Sequence, residues 1–284
     1  MAMENSSPYL RLIRLHQPAG IWLLLWPCCW SIALASGGKP DPLLLVLFSL
    51  GAILMRSAGC IVNDMADRKF DREVERTKTR PLASGELNMW QASRMLLILL
   101  LLAFCIALFL GKEVIIWAAY SLILVLAYPF MKRITWWPQF FLGLTFNWGA
   151  LLGWVAVRGT VELPAIALYV GGIFWTLGYD TIYAHQDKQD DARIGVKSSA
   201  LRLGESTKSA LLLFYPLAII CWGIAGVITE ANIGFFAFLA LGLAHLEWQA
   251  ITVKLDDPKS CKRMFFSNRT LGLIIFLACL AINL

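Results

Sequence analysis

The sequence predicts an all-α membrane protein of nine transmembrane helices with a cytoplasmic N-terminus. Three observations predict it: a scarcity of charge, apolar runs of membrane-spanning length, and basic residues confined to alternate loops. Of the 284 residues, 58% are hydrophobic and 15% charged, whereas a typical soluble domain is about a quarter charged. Mean hydropathy is +0.65, too high for a water-covered surface. No stretch is long and polar enough for a soluble domain, so residues 1–284 read as one membrane domain.

The apolar segments fall near 19–36, 42–62, 92–111, 113–131, 137–157, 163–184, 208–228, 232–250 and 267–284, each of roughly 20 residues and so long enough to cross a bilayer. Gly111-Lys112-Glu113 separates the third from the fourth as a tight hairpin, and Lys132-Arg133 with Pro138 separates the fourth from the fifth. Charge tests the count independently. All lysines and arginines except Lys39, Lys112, Arg158 and Arg56 fall in the segments that this topology places in the cytoplasm, as the positive-inside bias requires. Lys39, Lys112 and Arg158 lie in outside loops, and Arg56 lies within the second span. The net charge of +6 is therefore explained by cytoplasmic loops facing anionic headgroups, with no nucleic-acid partner expected.

The opening residues 1–8 have neither the order of a cleaved signal peptide nor the Arg-rich character of a transit peptide. The expectation is a bacterial inner membrane, or the mitochondrial inner membrane if the chain is eukaryotic. The seven cysteines fall mostly inside apolar runs without a C-x-x-C pair, which points to packing rather than disulfides or zinc. Trp22, Trp26, Trp30, Trp136 and Trp137 fit an interfacial belt.

Acidic residues gather in two places on the expected cytoplasmic side. Asp64, Asp67 and Asp71 follow the second span at spacings of three and four, which share one helix face. Asp180, Asp187 and Asp191 end the sixth span at spacings of seven and four, with Tyr183 near the same face. The pairs Asp67/Asp71 and Asp187/Asp191 lie four spans apart, which suggests two four-helix repeats, 19–131 and 137–250, followed by the last helix 267–284. Stacked carboxylates repel unless a cation joins them, and near a membrane they tend to be functional. Oxygen donors without His or Cys suit a hard ion, and Mg²⁺ best, because it keeps waters and shares its shell with substrate phosphates. The Gly-punctuated spacing of a calcium loop is absent. Arg68, Arg72, Arg76, Lys78 and Arg80 flank the first cluster, and Lys188, Arg193 and Lys197 the second. Such cations can anchor cytoplasmic loops or stabilise the charge that develops on a departing diphosphate.

Two long signatures now resemble a known family. NDMADRKFDREVERTKTRPLASGEL (63–87) and DTIYAHQDKQDDARIGVKSSALRLG (180–204) are similar to the two motifs of the UbiA-type membrane prenyltransferases. YLRLIRLHQPAGIWLLLWPCCW (9–30) and FFSNRTLGL (265–273) resemble the branch that prenylates 4-hydroxybenzoate. The resemblance implies a nine-helix bundle with a central lipid-open cavity, dependence on Mg²⁺, and transfer of a polyprenyl group from its diphosphate to an aromatic acceptor in ubiquinone biosynthesis. By motif match, Asn63, Asp67, Asp71, Asp187 and Asp191 resemble the metal ligands and catalytic acids, with Asp64 and Asp180 as a second tier. Arg68, Arg72, Arg76, Arg80 and Lys197 resemble the diphosphate-binding set. Arg14, Arg133 and Tyr183 are the expected acceptor contacts. Arg56 reads as an ion-pair partner for the first acidic cluster, His185 as a packing residue, and His245 and Glu247 as pairing with each other or with backbone.

Homogentisate, dihydroxynaphthoate, chlorophyllide and haem are the alternative acceptors. Phe70-Asp71-Arg72-Glu73-Val74 resembles the benzoate branch better than the haem branch, which typically carries a methionine there. A cation transporter is the competing class, but its ionisable residues would sit near mid-membrane, and these acids sit at helix ends. Prenyl chain length and oligomeric state are not encoded legibly.

Overall fold

A computed structural model describes residues 7–283. Residues 1–6, most of the segment read for targeting signals, and Leu284 lie outside it. Among the described residues every regular element is helical, as the bilayer demands of a chain that must satisfy its own backbone.

A one-turn helix α1 (Pro8–Leu12) precedes α2 (Ala19–Ala35) and the long α3 (Pro42–Asp71); a short α4 (Pro81–Ser84) leads into α5 (Met89–Leu110) and α6 (Lys112–Ile134). Then come α7 (Pro138–Phe146), α8 (Gly149–Arg158), α9 (Leu163–Ala184), α10 (Lys188–Ile194) and α11 (Ser199–Leu203). The bundle is completed by α12 (Thr207–Ile228), α13 (Ile233–Thr252) and α14 (Pro258–Leu280). Local chemistry sets the boundaries. Proline opens α3, α7, α9 and α14 within the first turn, where its missing N–H costs nothing. Asn88 and Gln91 form a reciprocal capping box on α5. Gly85, Gly159 and Gly195 end α4, α8 and α10 in the left-handed conformation.

Eight helical stretches are long and apolar enough to cross a membrane, which makes this a multi-pass membrane protein. The helix α2 has 17 residues, at the lower limit for a span; counting it as the ninth is the expectation, on length alone. Three expected segments change. The second span does not stop at 62, because α3 continues to Asp71 and carries the first acidic cluster on its last turns. The fifth is two helices, α7 and α8, broken at Asn147–Trp148. The last begins at Pro258 rather than 267, because a helical turn bearing Lys259, Lys262 and Arg263 precedes its apolar part.

The core lies between α2, α8, α9, α12, α13 and α14. Trp30, Trp175 and Trp222 interlock there, with ring centroids 5.0–6.2 Å apart. Trp30 is fully buried and its Nε1 donates to the Gly272 carbonyl at 2.8 Å. Trp26 is also buried. Both therefore leave the expected interfacial belt, whereas Trp136 is exposed and Trp22 and Trp137 are half-buried. Glycines allow the closest approaches, a recurrent device between membrane helices: a Cβ on Gly178 would overlap the Tyr215 ring where α9 meets α12. All seven cysteines are free and five are buried, in keeping with packing.

Candidate active site

The stripe at spacings three and four on α3 places Asp64, Asp67 and Asp71 on the buried side of its last two turns, 1%, 2% and 6% exposed. Three anions so close require cations, and the surrounding loops supply them. Arg80 Nη1, from the turn before α4, lies 2.8 Å and 2.9 Å from the two Asp71 oxygens and 3.2 Å from Asp64. Arg14 pairs with Asp64 from the segment between α1 and α2. Lys132, in the last turn of α6, meets Asp67 at 2.5 Å, with Arg133 further off at 3.7 Å.

The second cluster departs from the single helix face that its spacing predicted. The α9 helix ends at Ala184, and His185–Asp187 tighten into a 3-10 turn before α10. Asp180 therefore sits on α9, Asp187 in the turn and Asp191 on α10. Arg76 grips Asp187 with two guanidinium nitrogens, Nε at 2.8 Å and Nη2. Its Nη1 donates to the Tyr183 hydroxyl at 3.5 Å. This bidentate pair ties the loop of the first motif to the second. Burial works most strongly against the Arg76 charge, but the hydrogen bonds it donates to Asp187, together with the nearby Tyr183, Asp187 and Asp71 oxygens, raise the guanidinium above its ordinary value.

Both clusters open on one cavity of about 1530 Å³. Its polar end includes Asn63, Asp67, Asp71, Asp187, Asp191 and Arg76, and its apolar limb runs between α2, α3, α5 and α6. Arg14, Arg80, Tyr183, Lys197 and Asp180 also line it. Asp64 lies behind the wall, as a second-tier residue should. Two of the expected diphosphate ligands do not reach it: Arg68 Nε donates to the Leu82 carbonyl at 3.1 Å and Arg72 Nε to Ala83 at 3.0 Å. Each follows its aspartate by one residue, about 100° around the helix, so each braces the α4 turn instead. Arg133 also stays outside, donating to the Ala66 carbonyl at 2.7 Å with its guanidinium over Phe70. Lys197 lines the cavity while its Nζ donates to the Ile134 carbonyl at 3.0 Å.

Arg56 corrects another expectation. No carboxylate of the described residues lies within 4 Å of it; its guanidinium rests over the Phe146 ring at 5.4 Å, inside the cavity. Lys132 and Tyr128, also on the cavity wall, were missed: the Lys132-Arg133 pair reads as a loop anchor, and only the approach of α6 to α3 reveals Lys132 beside Asp67. His185 is a packing residue as expected, bonded through Nε2 to Thr207 Oγ1 at 3.0 Å. His245 lies against the Trp248 ring and forms no ion pair with Glu247 among the described residues.

The donors fit a magnesium ion. Asp67 Oδ1 is buried without a hydrogen-bond partner, and Asn63, Asp180 and Asp191 enter no side-chain hydrogen bond or ion pair among the described residues. No three His, Cys, Asp or Glu side chains there form a ready-made cage. Magnesium shares its shell with waters and substrate phosphates and needs no such cage.

The model of the UbiA prenyltransferase family matches residues 24–280. The chain belongs to that family. It is 50% identical over 287 residues to the human 4-hydroxybenzoate polyprenyltransferase, mitochondrial, covering 100% of this chain and 77% of that one. The enzyme of that name from Caenorhabditis elegans is 48% identical over 99% of this chain and 80% of its own length, and that from Arabidopsis thaliana 48% over 96% and 68%. Among solved structures, a UbiA homolog from Aeropyrum pernix K1 superposes with a TM-score of 0.76 at 23% identity, over 89% of this chain and 94% of that one. A UbiA homolog from Archaeoglobus fulgidus bound to GPP and Mg²⁺ gives a TM-score of 0.71 at 21% identity, over 96% and 98%. These two share the fold with this prenyltransferase.

Proposed function

We propose that the protein transfers a polyprenyl group from polyprenyl diphosphate to the carbon ortho to the hydroxyl of 4-hydroxybenzoate, dependent on Mg²⁺, as a step of ubiquinone biosynthesis. One observation carries this reading: a single cavity joins a polar end holding two acidic clusters and their cations to a long apolar limb. Relatives at about half identity over the whole chain bear the name of that activity, and the oxygen-only donor set supports magnesium. A mitochondrial membrane, as those relatives' names suggest, and within it the inner one, or else a bacterial inner membrane, is the proposed location, with nine spans and the acidic end in the matrix or cytoplasm.

Asn63, Asp67, Asp71, Asp187 and Asp191 would hold the ions, with Asp180 beside them. Bound there, magnesium supplies charge neutralisation of the diphosphate. The protein's own groups do the rest. Arg76, Arg80 and Lys132 stand on carboxylates and can turn from them to the phosphate oxygens, where they stabilise the charge released as the allylic C–O bond breaks. The apolar limb holds the tail and keeps water from the allylic cation. Arg56, a cavity cation with no carboxylate of the described residues within 4 Å, is suited to the acceptor's carboxylate, in place of the expected Arg14 and Arg133. The ring carbon then forms the new C–C bond to the allylic carbon that has lost its C–O bond, and loss of the ring proton to the released diphosphate restores aromaticity.

The test is mass spectrometry of membranes given a prenyl diphosphate and 4-hydroxybenzoate, with homogentisate and dihydroxynaphthoate as rival acceptors. Prenyl-4-hydroxybenzoate should appear only with Mg²⁺. Product formed equally well by Asp67→Asn and Asp187→Asn would refute the site, and preference for another acceptor would refute the substrate.

A further inference from the structure

Arg14 is one of two non-glycine residues with a positive φ among the described residues, at 54°. That left-handed conformation brings Cβ against the following carbonyl and is ordinarily left to glycine. A residue kept there despite the strain is kept for its side chain. The segment is pinned on both sides: Leu12 and Ile13 are buried against α3 and α5, and Arg11 pairs with Glu86. From this fixed point the Arg14 guanidinium reaches Asp64, which is 1% exposed. Asp64 in turn lies 3.2 Å from Arg80 Nη1, and the same nitrogen lies 2.8 Å from Asp71. The result is a chain of alternating charge, Arg14–Asp64–Arg80–Asp71, in which Arg14, Arg80 and Asp71 line the cavity and Asp64 lies behind its wall.

We propose that Arg14 is a positioning residue for the diphosphate: by neutralising Asp64 behind the cavity wall, it leaves Arg80 free to turn from Asp71 toward the leaving group. Without Arg14, Asp64 is a buried anion whose remaining basic partner is Arg80. It would hold Arg80 back at the wall, because a buried charge left unpaired is costly. Arg14 touches no substrate atom in this account and is not the acceptor contact that the sequence suggested. The inference rests on the reading of the cavity as a prenyl diphosphate site.

The test measures binding of inorganic diphosphate with Mg²⁺ to the full chain in lipid nanodiscs, together with thermal melting. Glycine suits the left-handed position and Arg80 still pairs with Asp64, so Arg14→Gly should melt cooperatively near the wild-type temperature while binding diphosphate about tenfold more weakly, the scale of one charge-assisted hydrogen bond. Arg14→Lys should recover most of the affinity. Asp64→Asn and the double variant Arg14→Gly/Asp64→Asn should bind alike, because Arg14 acts through Asp64. Wild-type affinity in Arg14→Gly would overturn the inference. So would an equal loss from Arg14→Gly in both backgrounds, which would make Arg14 a direct ligand, or a binding loss explained by a much lower melting temperature. If the wild type itself bound no diphosphate, the functional reading would fall and this inference with it.

Discussion

Arg56 is the residue whose role changes most between sequence and structure. A lone arginine seven residues before Asn63 invites pairing with the nearby acids, yet its guanidinium lies over Phe146 with no carboxylate of the described residues within 4 Å. An arginine in an apolar cavity is well suited to a carboxylate brought in by a ligand, which it can grip with two parallel hydrogen bonds. Replacing it by alanine should raise the KM for 4-hydroxybenzoate by roughly one to two orders of magnitude, the cost of a hydrogen bond to a charged group. The KM for the prenyl diphosphate should change little. A sharper measurement compares 4-hydroxybenzoate with its amide: the wild type should strongly prefer the acid, and Arg56→Ala should discriminate weakly. Undiminished preference for the acid in the variant would assign the carboxylate to another residue. At the polar end, Asp67 is the acid with an unsatisfied buried oxygen. Asp67→Asn keeps its shape but removes one of the charges that gather metal, so the Mg²⁺ concentration for half-maximal activity should rise at least tenfold, read from a titration at saturating substrates.

The element that sets the second acidic cluster is α9, and its position is fixed by close packing on α12. Gly178, two residues before Asp180, lies under the Tyr215 ring. That ring cannot retreat easily, because Tyr215 is fully buried and its hydroxyl donates to Gln249 Oε1 at 3.1 Å. Gln249 Nε2 is itself held to Ser267 at 3.1 Å. Gly178→Ala should therefore destabilise the protein by about 1–3 kcal/mol, the usual cost of overpacking, and lower its melting temperature in detergent. An unchanged melt would mean that α9 and α12 are looser than drawn. How much of the site was legible differs by element for the same physical reason. On α3 the helix continues unbroken through Asp71, so spacing alone placed three carboxylates on one face. At α9 the helix tightens into a 3-10 turn at His185–Asp187 without a glycine or proline to announce it, so the stripe of seven and four does not lie on one regular helix, although all three acids still line the cavity. Arg68 and Arg72 were misjudged because proximity in sequence to an acid says little about direction on a helix. Trp26 and Trp30 were misjudged because lipid and protein interior are equally apolar, so a tryptophan in a span carries no mark of which it faces. Lys132 and Tyr128 depend on which helices are neighbours, which no local pattern records.

At the scale of the whole molecule, the cavity determines how much of a prenyl chain the protein can enclose. Cavity-lining residues recur along α6 from Lys132, beside Asp67, to Val114, a helical distance of about 27 Å at 1.5 Å per residue. An extended isoprene unit has four chain bonds of about 1.5 Å and advances about 5 Å. The limb therefore encloses roughly five units, and longer tails must continue into lipid, as a cavity walled by membrane helices permits. Ala118 lies about 21 Å along α6 from Lys132, beyond the reach of two or three units, and its small side chain leaves the limb open there. Ala118→Phe should leave kcat/KM for geranyl and farnesyl diphosphate close to the wild-type value. For diphosphates longer than about four units it should fall several-fold, since a phenyl group now occupies the path that the chain must take. Mass spectrometry of products from an equimolar mixture of chain lengths reads this directly as a shift toward short tails. A uniform loss at every length would place the tail elsewhere in the cavity, against α2 and α8 rather than along the α5–α6 hairpin.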